Sequence, residues 1–203
     1  MSDEHKVKTD HPIHRMISGR WSPYAYGDRP VSGEDLRSLF EAARWAPSCF
    51  NEQPWRYLVA DRSTSAEEYD KLLSCLNERN QEWARYAPVL AMGLVKRNFE
   101  RNGKPNHHAR HDLGLATANL CLEATARGLL VHQMAGILPE RVRELFALPD
   151  DVEAVTGIAI GYYGDPATLS ESRQKSDSKR RSRRPVREIV FAGEWGATAP
   201  FLR

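Results

Sequence analysis

The chain has 203 residues, of which 41% are hydrophobic and 28% are charged, and its formal net charge is +2. This size and balance predict a single globular domain with its own core, and the small net charge indicates no special class of partner. No apolar run approaches the roughly 20 residues that cross a bilayer, and the N-terminus lacks the apolar stretch of a secretory signal. Three widely spaced cysteines do not favour a disulfide framework. We therefore expect a cytoplasmic protein without membrane contact.

The N-terminal half of the chain shows alternating helix and strand patterns. Residues 1–11 are polar and are expected to be mobile. Ser32 followed by Asp35 has the spacing of a capping box, which predicts a helix that runs to Trp45. The run at 88–95 is almost wholly apolar and suits a strand that is covered on both faces. The remaining patterns predict a helix at 12–18, a strand at 55–60 and a helix at 66–76.

The C-terminal half contains the longest predicted helix, which covers about residues 107–127. Gly128 is well placed to end this helix in a left-handed conformation. The small residues Gly114, Ala116 and Ala118 would let a second helix approach closely. The patterns that follow predict a strand at 129–133, a helix at 139–146 and a strand at 154–163.

The end of the chain changes composition twice. Residues 170–187 are polar and strongly basic, with the run Lys-Arg-Arg-Ser-Arg-Arg at 179–184. Clustered cations of this kind form a solvated tail, bind nucleic acid through counterion release, or supply a few charges to one phosphate group. From composition alone, the solvated tail leads. The stretch 188–203 then turns apolar and aromatic, which indicates that it packs against another surface.

A loop rich in proline and amide side chains follows the first long helix. Residues 46–55 read Ala-Pro-Ser-Cys-Phe-Asn-Glu-Gln-Pro-Trp. Pro47 denies the preceding helix a backbone donor, and Pro54 is expected to hold Gln53 in an extended conformation. The loop should therefore be stiff and should direct polar groups into a defined space, which is typical of small-molecule sites. An ordinary capped turn is the alternative.

A second motif precedes this loop. Residues 19–26 read Gly-Arg-Trp-Ser-Pro-Tyr-Ala-Tyr, and Pro30-Val31, the Leu-containing helix and the loop 46–55 follow in that order. In this order the motifs resemble the nitroreductase family of FMN-dependent oxidoreductases, and the resemblance spans nearly the whole chain. It implies an α+β fold with helices flanking a mixed central sheet, one domain over 1–203, and an intertwined homodimer. The long small-residue helix would lie at the interface, and the arm at 188–203 would wrap the partner subunit.

The resemblance also implies an activity. A hydride would pass from NADH or NADPH to bound FMN and on to a small electron acceptor such as a nitroaromatic or a quinone. Since the cofactor carries this chemistry, no catalytic side chain is expected. Other flavin reactions of the family, such as dehalogenation or the oxidation of enones and dehydropeptides, stay open. A flavin-binding module without turnover and a nucleic-acid-binding module that uses the basic run are further alternatives, although nucleic acid is not the expected partner.

Several residues match positions that bind FMN in this family. Arg181 and Arg183 would bind the phosphate together with Arg20 and Ser22, because guanidinium groups donate several charge-assisted hydrogen bonds to a phosphate. The family shares the site between subunits, so that the motif at 19–26 and the loop 46–55 of one site would come from different chains. The complete predicted cofactor site comprises Arg20, Trp21, Ser22, Tyr24, Pro47, Ser48, Cys49, Asn51, Gln53, Asn80, Met134, Ala135, Gly136, Arg181 and Arg183.

Some of these positions have ordinary structural alternatives. The resemblance places 134–136 against the reactive edge of the flavin, whereas a plain strand-to-loop turn would give Gly136 a positive φ. Asn80 would bind the flavin's pyrimidine ring or cap a helix. His132 is expected to be a hydrogen-bonded turn residue, and Trp83 is expected in the core.

Other cofactor motifs are incomplete. His107 and His111 are four residues apart on the long helix, but the glutamate of a zinc-protease motif and a third ligand are missing, so no metal site is expected. The sequence contains neither a Walker loop nor Gly-x-Gly-x-x-Gly, so a nicotinamide would bind by another route than a Rossmann site.

The chain departs from the family at Tyr24. Two residues after its serine, the family motif usually carries a Lys or Arg, near the N1 and C2 carbonyl of the flavin. Tyrosine donates one hydrogen bond and has no charge at neutral pH. Either another cation, such as Arg56 or Arg79, takes over this role, or the flavin has a lower potential.

Overall fold

The computed structural model describes residues 7–179 and 181–202. Part of the segment predicted to be mobile (1–6) and the last residue of the predicted arm lie outside the described residues. Within the described chain the architecture is α+β, as predicted. The helices are α1 (Arg15–Gly19), α2 (Gly33–Arg44), α3 (Ala66–Leu73), α4 (Glu78–Ala84), α5 (Ala109–Ala126), α6 (Pro139–Leu145) and α7 (Glu171–Ser178). The strands are β1 (Trp55–Asp61), β2 (Val89–Lys96), β3 (Leu130–Met134) and β4 (Val152–Gly161).

The strands form one sheet in the order β1-β2-β4-β3. Each pairing between these described strands is antiparallel. The predicted mixed sheet is therefore wrong for these four strands of a single chain, although the α+β class is confirmed. Alternation of helices with strands does not specify strand direction, because a long connection can return the chain at either end of a sheet.

Strand β2 lies at the centre and explains why the fold has two apolar layers. Its residues alternate between the faces: Leu90, Met92 and Leu94 belong to one buried cluster, whereas Ala91 and Val95 belong to the other. The first cluster includes side chains of α3, α4 and α6, and the second includes side chains of α2 and α5. The prediction of a strand covered on both faces is confirmed, and a one-residue slip would exchange the two layers.

Local capping signals place two of the helices as the sequence predicted. The Ser32 hydroxyl accepts the Asp35 N–H at 3.0 Å and donates to the Asp35 carboxylate at 2.8 Å, which starts α2. At the end of α5, Gly128 has φ +74°. The N–H of Leu129 then returns to the Ala124 carbonyl at 2.8 Å, in a Schellman arrangement.

Helices α4 and α7 have no counterpart in the sequence predictions. Asn77, rather than Asn80, is the N-cap of α4, since its side chain accepts the Asn80 N–H at 3.0 Å. Helix α7 falls inside the segment whose polar composition favoured a tail. It contains Asp177, which is only 5% exposed, so tertiary contacts and not an apolar stripe hold this helix in place.

The described residues after α7 lie largely on the surface of the single chain. Phe191 and Thr198 form an isolated bridge that folds it back on itself. Ile189, Trp195 and Phe201 remain 61%, 91% and 77% exposed. Apolar side chains this exposed favour burial against a further surface, in line with the predicted arm.

None of the described helices combines the length and the apolar character that crossing a membrane requires.

Candidate functional site

Cations from the two ends of the chain converge beside α1. Arg20 follows this helix and donates from Nη1 to the Ser22 hydroxyl at 3.1 Å. Arg181 donates to the Ser18 carbonyl at 3.0 Å and also to the Arg20 carbonyl. Arg183 borders the same cleft. The predicted grouping of Arg20, Ser22, Arg181 and Arg183 is therefore present in space, although 161 positions separate Arg181 from Arg20 in the chain.

This cleft has a volume of about 340 Å³ and an excess of positive charge. Burial lowers the pKa of the Arg181 guanidinium, and the neighbouring charges of Arg20 and Arg183 lower it further. Such like-charge crowding is relieved by an anion, and a phosphate monoester has the oxygens to accept several of these donors. The ionisable residues among those described around the cleft are Lys8, Asp10, His11, Arg20, Arg181, Arg183 and Arg184.

An aromatic cluster adjoins the N-terminal motif. The Tyr24 ring meets Trp83 edge-on at 5.1 Å and His132 at 4.8 Å, measured between ring centroids. Trp83 is fully buried, which confirms its predicted place in the core. His132 lies in β3 rather than in a turn, and its Nδ1 donates to the Pro23 carbonyl at 2.7 Å. Burial lowers the pKa of His132, which keeps the imidazole neutral at pH 7.

A buried carboxylate fixes the backbone of this motif. Asp177 of α7 accepts the Tyr24 N–H at 2.6 Å and the Ala25 N–H at 3.1 Å. No local pattern in the sequence marks this residue, because an aspartate in a polar segment resembles its neighbours. Trp21, another predicted cofactor residue, is 5% exposed, and its ring centroid lies 5.1 Å from that of Tyr163 with the two rings tilted by 59°.

The turn at 134–136 is tied to the start of α4. The Gly136 carbonyl accepts the Asn77 N–H and the Asn80 side-chain amide, each at 3.0 Å. Gly136 is not among the described glycines with positive φ, so that alternative is wrong. Glycine is required by close approach: a Cβ would lie 2.3 Å from Asn77 Nδ2. Met134 is buried and Ala135 is exposed, so residue 135 lies at the surface of this turn.

The loop 46–55 is strained, which was not predicted. Phe50, Asn51 and Gln53 have φ values of +55°, +58° and +53°. The expected extended conformation of Gln53 is therefore wrong, because its N–H turns inward to the Ser48 hydroxyl at 3.0 Å. Left-handed backbone in residues other than glycine costs about 1–2 kcal/mol each, and clusters of it occur at binding sites.

Contacts with α5 and with a second loop hold this conformation. The Cys49 N–H donates at 3.0 Å to the carboxylate of Asp112, which is 2% exposed. The Phe50 ring lies 6.0 Å from Phe99, and the Arg101 guanidinium lies 4.1 Å from the Phe50 ring. Pro47 and Asn51 are exposed.

The predicted site residues thus form three groups in one chain: the arginine cleft, the aromatic cluster with the turn at 134–136, and the loop 46–55. The arginine cleft is joined to the aromatic cluster through the motif at 19–26, and the cluster reaches 134–136 through Trp83, whose indole donates to Asn80 Oδ1 at 3.4 Å. The described residues that border the cleft include none from 46–55.

His111 of α5 borders the loop 46–55 through Asp112, the residue that accepts the Cys49 N–H. The His111 side chain is 68% exposed and lies 3.3 Å from Asp112. In the described part of the chain, no group of three or more His, Cys, Asp or Glu side chains could hold a metal ion.

Comparison with known proteins connects this arrangement to a family. The profile of the nitroreductase family matches residues 17–162. A protein of Mycolicibacterium smegmatis without a characterised function is 34% identical over 146 residues, which cover 70% of this chain and 97% of that protein. The major NAD(P)H-flavin oxidoreductase of Aliivibrio fischeri is 25% identical, with 82% and 94% covered.

A solved structure agrees with these sequence matches. The crystal structure of an oxidoreductase containing FMN superposes with a TM-score of 0.88 at 29% identity, and covers 98% of this chain and 100% of that chain. Because the family profile spans most of the chain and the mycobacterial relative exceeds 30% identity, the chain belongs to the nitroreductase family.

Proposed function

We propose that this protein is an FMN-dependent NAD(P)H oxidoreductase that reduces a small acceptor such as a nitroaromatic or a quinone. The observation that carries the proposal is the arginine cleft, in which Arg20, Arg181 and Arg183 face one cavity of about 340 Å³. The A. fischeri relative named as an NAD(P)H-flavin oxidoreductase and the solved structure that contains FMN support the same activity.

The described residues fit the phosphate end of FMN. Arg181 is ordered by two backbone carbonyls, so its guanidinium is positioned before a ligand arrives. Arg20 and the Ser22 hydroxyl belong to the same short segment and are already hydrogen-bonded at 3.1 Å. Preorganised guanidinium groups lose little conformational entropy on binding, which favours affinity for a dianionic phosphate.

The ring of the cofactor would lie toward Tyr24, Asn80 and the turn at 134–136. Bound FMN would supply the redox chemistry between NADH or NADPH and the acceptor. The protein's own contribution is to hold the ring. Asp177 fixes the backbone of Tyr24, and Asn80 and Asn77 fix the turn through the Gly136 carbonyl.

We further propose that the active form is a homodimer in which the loop 46–55 completes the partner's site. Gly114 and Ala118 are exposed on α5, and a Cβ added at Gly114 would meet nothing within 4 Å in the single chain. The exposed side chains of 188–202 add apolar surface that a second subunit would bury. A flavin-loaded monomer in gel filtration would contradict this assembly.

The decisive experiment compares FMN with riboflavin, which has the same ring but no phosphate. We expect the purified protein to bind FMN and the bound flavin to bleach with NADH or NADPH under anaerobic conditions. Arg183→Gln should weaken FMN binding about 10- to 100-fold, because a hydrogen bond to a charged group contributes about 1.5–3 kcal/mol. Riboflavin binding should change less than threefold.

Arg187→Gln is the matched control, since Arg187 is an exposed arginine of the same segment that does not border the cleft. It should bind FMN as the unchanged protein does. Equal losses for FMN and riboflavin in Arg183→Gln would refute the assignment of the phosphate site. No FMN binding at all, together with salt-sensitive binding of RNA or DNA, would refute the proposed function.

A further inference from the structure

Tyr24 occupies the position where the family motif usually carries a Lys or Arg, so the positive charge near the flavin would have to come from another residue. Of the two cations predicted to substitute, Arg56 is engaged at the start of β1, where it donates to the carbonyls of Gln53 at 2.9 Å and Trp55 at 2.7 Å. Arg79 contributes its backbone carbonyl to the region of Tyr24, where it accepts from Arg173 at 3.0 Å. The side chain that does reach Tyr24 is therefore that of Arg173.

Arg173 lies directly over the Tyr24 ring. Its Cζ is 4.5 Å from the ring centroid, which is the geometry of a cation–π contact. The bond from its Nη2 to the Arg79 carbonyl, next to Asn80, holds the guanidinium between α7 and α4. Both neighbours, Tyr24 and Asn80, are residues predicted at the pyrimidine end of the flavin.

The geometry of α7 makes this contact specific. Asp177 lies four residues after Arg173, hence on the same face of the helix. Its carboxylate binds the backbone of Tyr24 and Ala25 while the guanidinium covers the ring. Helix α7 thus contacts both the main chain and the side chain of Tyr24. The Asp177 charge is engaged by two N–H donors, and the neighbouring imidazole of His132 is kept neutral by burial.

We propose that Arg173 supplies the positive charge that the Tyr24 position lacks and thereby raises the reduction potential of the bound flavin. It acts through Tyr24: a cation over the ring draws electron density from the phenol, which makes the hydroxyl a stronger hydrogen-bond donor to the pyrimidine end. Arg173 is a positioning residue in this role. The inference rests on the proposed function, because it presupposes that FMN binds beside Tyr24.

The test measures the flavin's midpoint potential by equilibration with a reference dye in three FMN-loaded variants. In Arg173→Met we expect the ratio of reduced to oxidised flavin, at a fixed dye ratio, to fall about tenfold, which is about 30 mV for a two-electron couple. Arg173→Lys keeps the charge and should stay within twofold. Lys175→Met removes a charge from an exposed position of the same helix and should also stay within twofold.

A double-mutant cycle with Tyr24→Phe tests the route of the effect. Phenylalanine keeps the ring but removes the hydroxyl, so in this background Arg173→Met should change the ratio of reduced to oxidised flavin less than threefold. An unchanged potential in Arg173→Met, or a tenfold fall in Arg173→Lys as well, would overturn the inference, since the latter indicates shape and not charge. Both results would be compatible with the proposed function. Failure of the unchanged protein to bind FMN would instead refute the proposed function.

Discussion

Removal of the Asp177 carboxylate is the sharpest test of how this fold builds its site. In the native structure the carboxylate joins α7 to the N-terminal motif through the Tyr24 N–H at 2.6 Å and the Ala25 N–H at 3.1 Å. Asp177→Ala would leave both donors without this acceptor. Ala25 is fully buried, so water does not replace its partner, whereas Tyr24 is half-buried and recovers part of its hydrogen bonding.

The size of the effect follows from these environments. An unsatisfied buried donor costs about 1–3 kcal/mol, and the second, partly hydrated donor adds about 1 kcal/mol. We therefore expect Asp177→Ala to lower the free energy of unfolding by about 2–4 kcal/mol. For a chain of this length that corresponds to a fall in Tm of roughly 5–15 °C. Asp177→Asn keeps one acceptor oxygen but sets an N–H group against a donor, so its loss should be intermediate.

The assay is urea and thermal unfolding of the flavin-free proteins at one fixed protein concentration, because association makes Tm concentration-dependent. Asp165→Ala is the control: its carboxylate accepts the Ala167 N–H at 2.9 Å but is exposed. Water replaces that bond, so the loss should stay within about 1 kcal/mol. A loss below about 1 kcal/mol in Asp177→Ala, or equal losses at the two aspartates, would refute the reasoning.

Three further predictions concern other contacts. Burial lowers the pKa of His132 below its ordinary 6.5. Below about pH 6.5 the unfolded chain therefore binds more protons than the folded chain, and the free energy of unfolding falls as the pH falls. His132→Asn, which keeps a donor for the Pro23 carbonyl, should flatten this slope in urea titrations between about pH 7.5 and 5.5; an unchanged slope would contradict the assignment. Gly136→Ala should destabilise the protein by about 1–3 kcal/mol in urea unfolding, since its Cβ would meet Asn77 Nδ2 at 2.3 Å; a neutral effect would show that this turn adapts freely. Gly114→Leu adds volume where the single chain is open, so light scattering should show monomers if α5 forms the dimer interface, and a persisting dimer would place the interface elsewhere.

Local signals in the sequence were sufficient for much of the framework. The capping pattern at Ser32 and the glycine after α5 determine where two helices begin and end, because these residues satisfy the free backbone groups of a helix terminus. The apolar run of β2 determines a strand covered on both faces. Motif order was sufficient for the family and for the arginines of the cleft.

Other features could not be read locally. Helices α4 and α7 are short and polar, so their stability comes from tertiary contacts such as that of Asp177. Gln53 was expected to be extended before Pro54, but the Ser48 hydroxyl and the anchored Cys49 close the loop into a left-handed conformation. A preference of the residue before proline is a small energy that such hydrogen bonds outweigh.

The sequence by itself determined the family, the α+β class and most helix and strand positions, because periodicity, caps and motif order act over a few residues. Only the tertiary structure decided the antiparallel sheet, the contact of Asp177 with the backbone of Tyr24 and Ala25, and the placing of Arg173 over Tyr24. The last two contacts join residues about 150 positions apart, and charged side chains show no periodicity from which a partner at such a distance could be predicted. Residue types thus indicate the chemistry of the site, whereas its geometry depends on how the two ends of the chain pack against one sheet.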